Sequence, residues 1–164
     1  MSGSKLPPEL FRRQDETPDD RFYAEPRFVT HIDDATIVAV TEYYRETLRD
    51  GDRLLDLMSS WVSHLPAGAI YGKVMGLGMN RQELAANPRL DGFEVKDLNA
   101  DPTLPFEDRC FDAVMIVVSI QYLTRPFEVF AEITRVLDDR GRCIVAMSHR
   151  LFPTKAIYAF QTLS

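Results

Sequence analysis

The chain has 164 residues, enough for one hydrophobic core and too few for two, and its 45% hydrophobic and 27% charged content is that of an ordinary globular domain. Nineteen basic against 25 acidic residues give a net charge of −6 with the positive residues unclustered, so a nucleic-acid backbone is not an expected partner. No apolar run approaches the roughly 18 residues that span a bilayer, Met1 to Asp20 holds no apolar signal core, and Cys110 and Cys143 have no neighbours at metal spacing, so the expectation is a cytoplasmic protein with no membrane contact.

Residues 1–21, with Pro7, Pro8, Pro18 and the charged run Arg12 to Asp20, carry no apolar period and predict a flexible arm ahead of a domain over 22–164. Asp33 or Asp34 then caps a helix in which Ile37, Val38, Val40, Tyr44 and Leu48 recur at helical spacing until Gly51. Arg53 to Met58 predicts a strand, Ser59 to His64 a polar and aromatic loop, and Ala69 to Leu77 a second strand. Asn80 to Asn87 has the composition of a short helix stopped by Pro88, and Phe93 to Leu98 predicts a third strand running into the turn Asn99-Ala100-Asp101-Pro102.

Phe111 to Ile120 is nearly continuous apolar sequence rich in β-branched residues, the pattern of a central strand covered on both faces. Pro126 opens a helix whose apolar face is Phe127, Phe130, Ile133, Val136 and Leu137, ended by Asp138-Asp139-Arg140-Gly141; a fifth strand, Cys143 to Met147, and a last helix, Phe152 to Phe160, follow. Strand and helix signals alternate five times, which predicts right-handed βαβ units around a parallel sheet with helices on both faces. In such a sheet ligands bind beyond the carboxyl ends of the strands, so the candidate segments are Asp56 to His64, Gly76 to Asn80, Asp97 to Asn99, Ser119 to Tyr122 and Ser148 to Arg150.

Four of the motifs belong together. Leu55-Asp56-Leu57, Asp97 with Leu104-Pro105-Phe106, Phe111-Asp112-Ala113-Val114, and Glu132-Ile133-Thr134-Arg135-Val136-Leu137 before Gly141 make the chain from about Leu54 to Met147 resemble a class I S-adenosylmethionine-dependent methyltransferase of the type 11 branch. The resemblance implies an α/β, three-layer Rossmann-like fold, S-adenosylmethionine as cofactor and a small-molecule methyl acceptor. It also implies a seven-stranded sheet, of which this sequence predicts five strands, without the C-terminal pair. The unpaired edge that results predicts self-association or a bound partner covering it.

The same resemblance places the cofactor residues. Asp56 matches the acid of the cofactor loop, but Met58, Ser60 and Val62 stand where glycines are usual; Gly78 stands where an acid usually binds the ribose, leaving Asn80 as a neutral acceptor; Asp97-Leu98 matches the adenine position. A smaller group of methyltransferase-like proteins is similar in these departures too, in Pro26 to Asp33 and in the run Asp56 to His64. Ser59 and Ser60 become hydroxyl donors in place of glycine backbone, Trp61 a stacking ring, and Ser119 a further cofactor contact. Each also has a structural reading: cap, turn or core.

Gln121 and Tyr122, after the fourth strand, and His31 are the candidate catalytic groups, since aligning an acceptor asks for polar positioning groups and histidine titrates nearest neutral pH. Tyr23, Arg27, Phe28 and His31 are residues a lid would use, although Phe28 and Ile32 could equally be buried as a staple for the following helix. The rival to a methyltransferase is a catalytically silent relative that keeps the sheet to bind a partner, which the lost glycines and lost ribose acid would permit.

Overall fold

The computed structural model describes residues 6–162. Five parallel strands, β1 (Arg53–Leu57), β2 (Lys73–Gly78), β3 (Gly92–Val95), β4 (Phe111–Val117) and β5 (Leu137–Ala146), lie in the order β3-β2-β1-β4-β5. The chain reverses direction across the sheet between β1 and β4, the position where a doubly wound sheet opens a ligand crevice. Alternation along the strands sorts the core into two layers. Leu55, Leu57, Leu77, Val114 and Ile116 face Val129, Ile133 and Val136 of helix α4 (Pro126–Val136), whereas Leu54, Val74, Ala113 and Met115 face Tyr44 and Leu48 at the end of α2 (Asp34–Thr47). Asp33 caps α2 by accepting from the Thr36 N–H.

The differences from the predicted boundaries have local causes. The second strand starts at Lys73 instead of Ala69 because residues 70–72 pair with the preceding turn: Gly51 N–H donates to the Ile70 carbonyl and Gly72 N–H to that of Asp52. Phe111 to Val117 is strand, but Val118 turns to φ 54° and Ile120–Tyr122 form a 3-10 turn. Asp97 ends β3's run early, since its Oδ1 accepts from the N–H groups of Asn99 and Ala100. The Asp138-Asp139-Arg140-Gly141 turn lies inside β5 as a break in register, with Phe111 opposite Leu137 and Ala113 opposite Arg142. The last predicted helix shrinks to α5 (Tyr158–Thr162), because Pro153 disfavours helix at Phe152.

The N-terminal segment meets the C-terminal one. Residues 1–5 of the expected arm lie outside the described residues; beyond them come a 3-10 turn at Pro8–Phe11 and a one-turn helix, α1 (Asp19–Phe22). Arg13 pairs in a bridge with Ile157, Tyr158 N–H donates to the Arg12 carbonyl, and Asp15 N–H donates to that of Thr154. Fully buried Lys155 lies 3.0 Å from Asp19, which is also held by Arg13 at 2.8 Å and by the amide of Asn99 at 2.9 Å. Composition reads charges as solvated; here three of them close on one another.

Candidate functional site

A cavity of about 330 Å³ sits over the carboxyl ends of β1, β2 and β4. Its floor is made by the loops after the strands, including Asp56, Ser59, Ser60, Gly78, Asn80, Asp97, Leu98 and Ser119, so the strand-end rule finds the floor directly. Its roof comes from both ends of the chain: Asp19, Tyr23, Arg27 and His31 from one, Arg150 and Phe152 from the other.

In the floor, Asp56 is 6% exposed and its Oδ2 accepts from the hydroxyls of Ser59 and Ser63, both at 2.6 Å. Burial pushes its carboxyl up to about 6 against the pull of the two hydroxyls. Asn87 extends the network, donating through Nδ2 to Ser63 Oγ and the Ser60 carbonyl. The serine loop thus binds itself to β1 and to the end of helix α3 (Arg81–Ala86). It also lies flat against β2, with Ser59 N–H donating to the Leu77 carbonyl at 2.8 Å. That close approach explains Gly78: a Cβ there would collide with the Ser59 carbonyl oxygen. The space in which an acidic side chain would stand at this position is filled by the neighbouring loop.

Backbone strain gathers at the same place. Among the described residues, His31, Met58, His64, Arg109 and Val118 have left-handed backbone without being glycine, and all but Arg109 line the cavity. Val118, at φ 54°, is β-branched and pays the steric cost most heavily. Such strain persists only where surrounding structure imposes it, and it clusters at functional sites. Met58, at φ 57°, follows β1 where the first glycine of the resemblance belongs: the backbone keeps a conformation glycine favours, while the side chain does not.

Several candidate residues lie outside the cavity lining or have their polar atoms engaged. Trp61 is outside the cavity lining; its Nε1–H donates to the Val29 carbonyl and its ring meets Phe28 edge-on at 6.2 Å, so it tacks the N-terminal segment down from outside. Gln121 is fully buried, donates to the Val118 carbonyl and is not in the lining. Asn80 does line the cavity, yet its Oδ1 caps α3 by accepting from Gln82 and Glu83 N–H, and its Nδ2 donates to the carbonyls of Tyr23 and Ala24, so its acceptor is already engaged. Phe28 is 50% exposed, contrary to the staple, although Ile32 is buried.

Tyr122 lines the cavity, its hydroxyl accepting from the Phe152 N–H at 2.9 Å and burial raising its ionisation above the ordinary tyrosine value. His31 lines it as well; burial, partly offset by Glu83, holds its imidazole below the ordinary histidine value. Ser119 is 8% exposed and its hydroxyl is buried without a partner among the described residues. Asp19, Glu83, Arg150 and Phe152 also line the cavity. Of these only Arg150, at the end of the fifth strand, fell in a segment that the strand-end rule singles out.

A family model for the methyltransferase domain, type 11, matches residues 60–145, just over half of the chain. The chain belongs to that family. No curated protein matches the sequence. Among solved structures, this methyltransferase domain resembles the [4+2]-cyclase SpnF (23% identity, TM-score 0.56, covering 76% of this chain and 55% of that one). It also resembles an S-adenosylmethionine-dependent methyltransferase of Mesorhizobium loti (19%, 0.53, 66% and 52%) and a Haloferax volcanii putative methyltransferase complexed with the Trm112 methyltransferase activator (20%, 0.53, 70% and 57%). The chain therefore spans little more than half the length of these structures. At such identities they establish the fold: a Rossmann-like methyltransferase sheet.

S-adenosylmethionine is the family's cofactor, and the floor fits it at two of three points. Asp56 with its serines, and Asp97 with the backbone after it, present acceptors and donors in the cavity; the end of β2, occupied by Ser59 and by an already bonded Asn80, offers no carboxylate between them.

Proposed function

We propose that this domain binds S-adenosylmethionine across the ends of β1 and β3 and methylates a small molecule held beneath the roof. One observation carries the reading: Asp56, Ser59, Ser60, Asp97, Leu98 and Ser119, separated by up to 63 positions in sequence, line one cavity in a chain of the methyltransferase-domain family. When bound, the cofactor supplies a methyl group on a positively charged sulfur. Asp56 would hold its amino group, Ser59 and Ser60 its carboxylate, and Asp97 with the Leu98 N–H its adenine.

His31 has a role in this reading that follows from its neutral imidazole: it accepts the proton an acceptor hydroxyl or amine gives up. Tyr122 orients the acceptor, and the roof keeps water out. Calorimetry with S-adenosylmethionine and S-adenosylhomocysteine tests the assignment. Binding that weakens by about 1 to 3 kcal/mol in Asp97→Ala supports it; no heat with either ligand, at concentrations that load other family members, rejects it.

A second reading has its own observation. With Gly78 backed by the Ser59 carbonyl and Asn80 bonded to α3 and to the N-terminal segment, the ribose position has lost its acceptor, as a silent binding relative would allow. The Haloferax volcanii complex makes a protein partner a concrete form of that reading, and the edge of β5, unpaired among the described residues, is the place for a partner or a second copy. Sedimentation of a stable monomer at high concentration would remove self-association.

A further inference from the structure

Within the cavity the acids are answered and the arginines are not. Asp19 is held by Arg13, Lys155 and Asn99; Asp56 accepts from two serines; Asp97 accepts from two backbone N–H groups; Glu83 Oε1 accepts from the Arg27 N–H at 2.7 Å. By contrast, the Arg150 guanidinium makes no hydrogen bond among the described residues, and its nearest carboxylate, Asp33, is 3.9 Å away. Arg27 donates through Nη2 to the Phe22 carbonyl, while its Nη1 is buried without a partner. These two cations come from opposite ends of the chain to one roof.

Aromatic rings stand around them. Phe152 is the hub, with Phe22 at 5.3 Å, His31 at 5.6 Å and Tyr122 at 5.8 Å, the last tilted by only 30°. The Arg27 guanidinium lies over Phe22 at 4.7 Å and over Phe152 at 5.4 Å. Tyr23, His31, Tyr122 and Phe152 all face the cavity. Flat faces favour a flat guest, and guanidinium groups with open donors favour a carboxylate, whose two oxygens match their fork.

We propose that the roof half of the cavity binds a planar aromatic carboxylate, the ring among Phe152, Tyr122 and Tyr23 and the carboxylate against Arg150 and Arg27. The proposal rests on the reading above only in leaving the strand-end half to the cofactor. It names the chemical class of the acceptor, which the floor does not.

Titration calorimetry with 4-hydroxybenzoate as the probe, with and without S-adenosylhomocysteine, tests it. The expected result is binding about tenfold tighter than that of 4-hydroxybenzylamine, which reverses the charge, and of cyclohexanecarboxylate, which removes the flat ring. Arg150→Gln should erase the preference over the amine. Its side chain is 57% exposed, so folding is not at stake. Phe152→Leu should erase the preference over the saturated ring, with the melting curve checked alongside. Equal affinity for the three probes, or a charge preference that survives Arg150→Gln, overturns the proposal. S-adenosylhomocysteine binding without 4-hydroxybenzoate binding overturns it and leaves the cofactor assignment standing; the reverse outcome overturns the cofactor assignment alone, and heat from neither ligand overturns both.

Discussion

Asp56 in the floor and Asp19 in the roof are almost equally buried, 6% and 5% exposed, yet their surroundings push them in opposite directions. Asp56 has two hydroxyls and no cation, so burial wins and its carboxyl rises to about 6. Asp19 pays for burial too, but Arg13, Asn99 and Lys155 outweigh it and hold the carboxyl below its ordinary value. The pair teaches what each region is built for. In the roof Asp19 is closed into an ion cluster that joins the N-terminal and C-terminal segments; in the floor Asp56 is a buried carboxyl with no cation beside it.

The strongest way to break this comparison is to take Asp19 away. Asp19→Ala takes from buried Lys155 and Arg13 their nearest carboxylate, leaving Asp15 at 3.4 Å from Lys155 and Glu16 at 3.9 Å from Arg13, and should cost about 3 kcal/mol in chemical denaturation. The roof segments should loosen first, with faster amide exchange at Tyr23 and Phe152 than in β1. Unchanged stability would mean that the cluster is solvated in solution and does not hold the roof.

A pH titration sharpens the same contrast. Because the folded-state pKa of Asp56 lies above its ordinary value of 3.8, its contribution to stability is complete below pH 3.8 and is lost as pH rises through about 6. The loss is about 3 kcal/mol from the size of that shift. Asp19 has the opposite sign: its contribution is present above the unfolded value and is lost on acidification. The difference in stability between the wild type and Asp56→Asn isolates the floor. Asn should gain relative to wild type between pH 4 and 7 and gain nothing further above that; a flat difference would show that Asp56 is ionised at no cost. The same variant should weaken S-adenosylmethionine if the carboxylate meets its amino group.

The smallest effect is expected outside the cavity. Trp61→Phe removes the Nε1–H that holds the Val29 carbonyl and should cost about 1 kcal/mol. Affinity for S-adenosylhomocysteine should not change, since the ring does not line the site. A loss of affinity greater than about tenfold would return Trp61 to the cofactor.

The sequence by itself determined the sheet and most of the floor. Nearly continuous apolar runs such as Leu54 to Leu57 and Phe111 to Val117 are buried on both faces as inner parallel strands, and once the strands are located, the loops after them are the crevice. It also narrowed the cap to Asp33 or Asp34, of which the structure uses Asp33, and located the helix starts at Pro126 and near Asn80, because those depend on neighbours within a few residues. Only the tertiary structure decided the roof. Lys155 and Asp19 are 136 positions apart, and each reads locally as a solvated charge; nothing in either neighbourhood announces the other, since an ion cluster is fixed by three-dimensional approach and leaves no period. The bonds that Asn80 Nδ2 and Trp61 Nε1 donate, to the carbonyls of residues 23, 24 and 29, have a related origin: those partners arrive from a segment whose path no local pattern records.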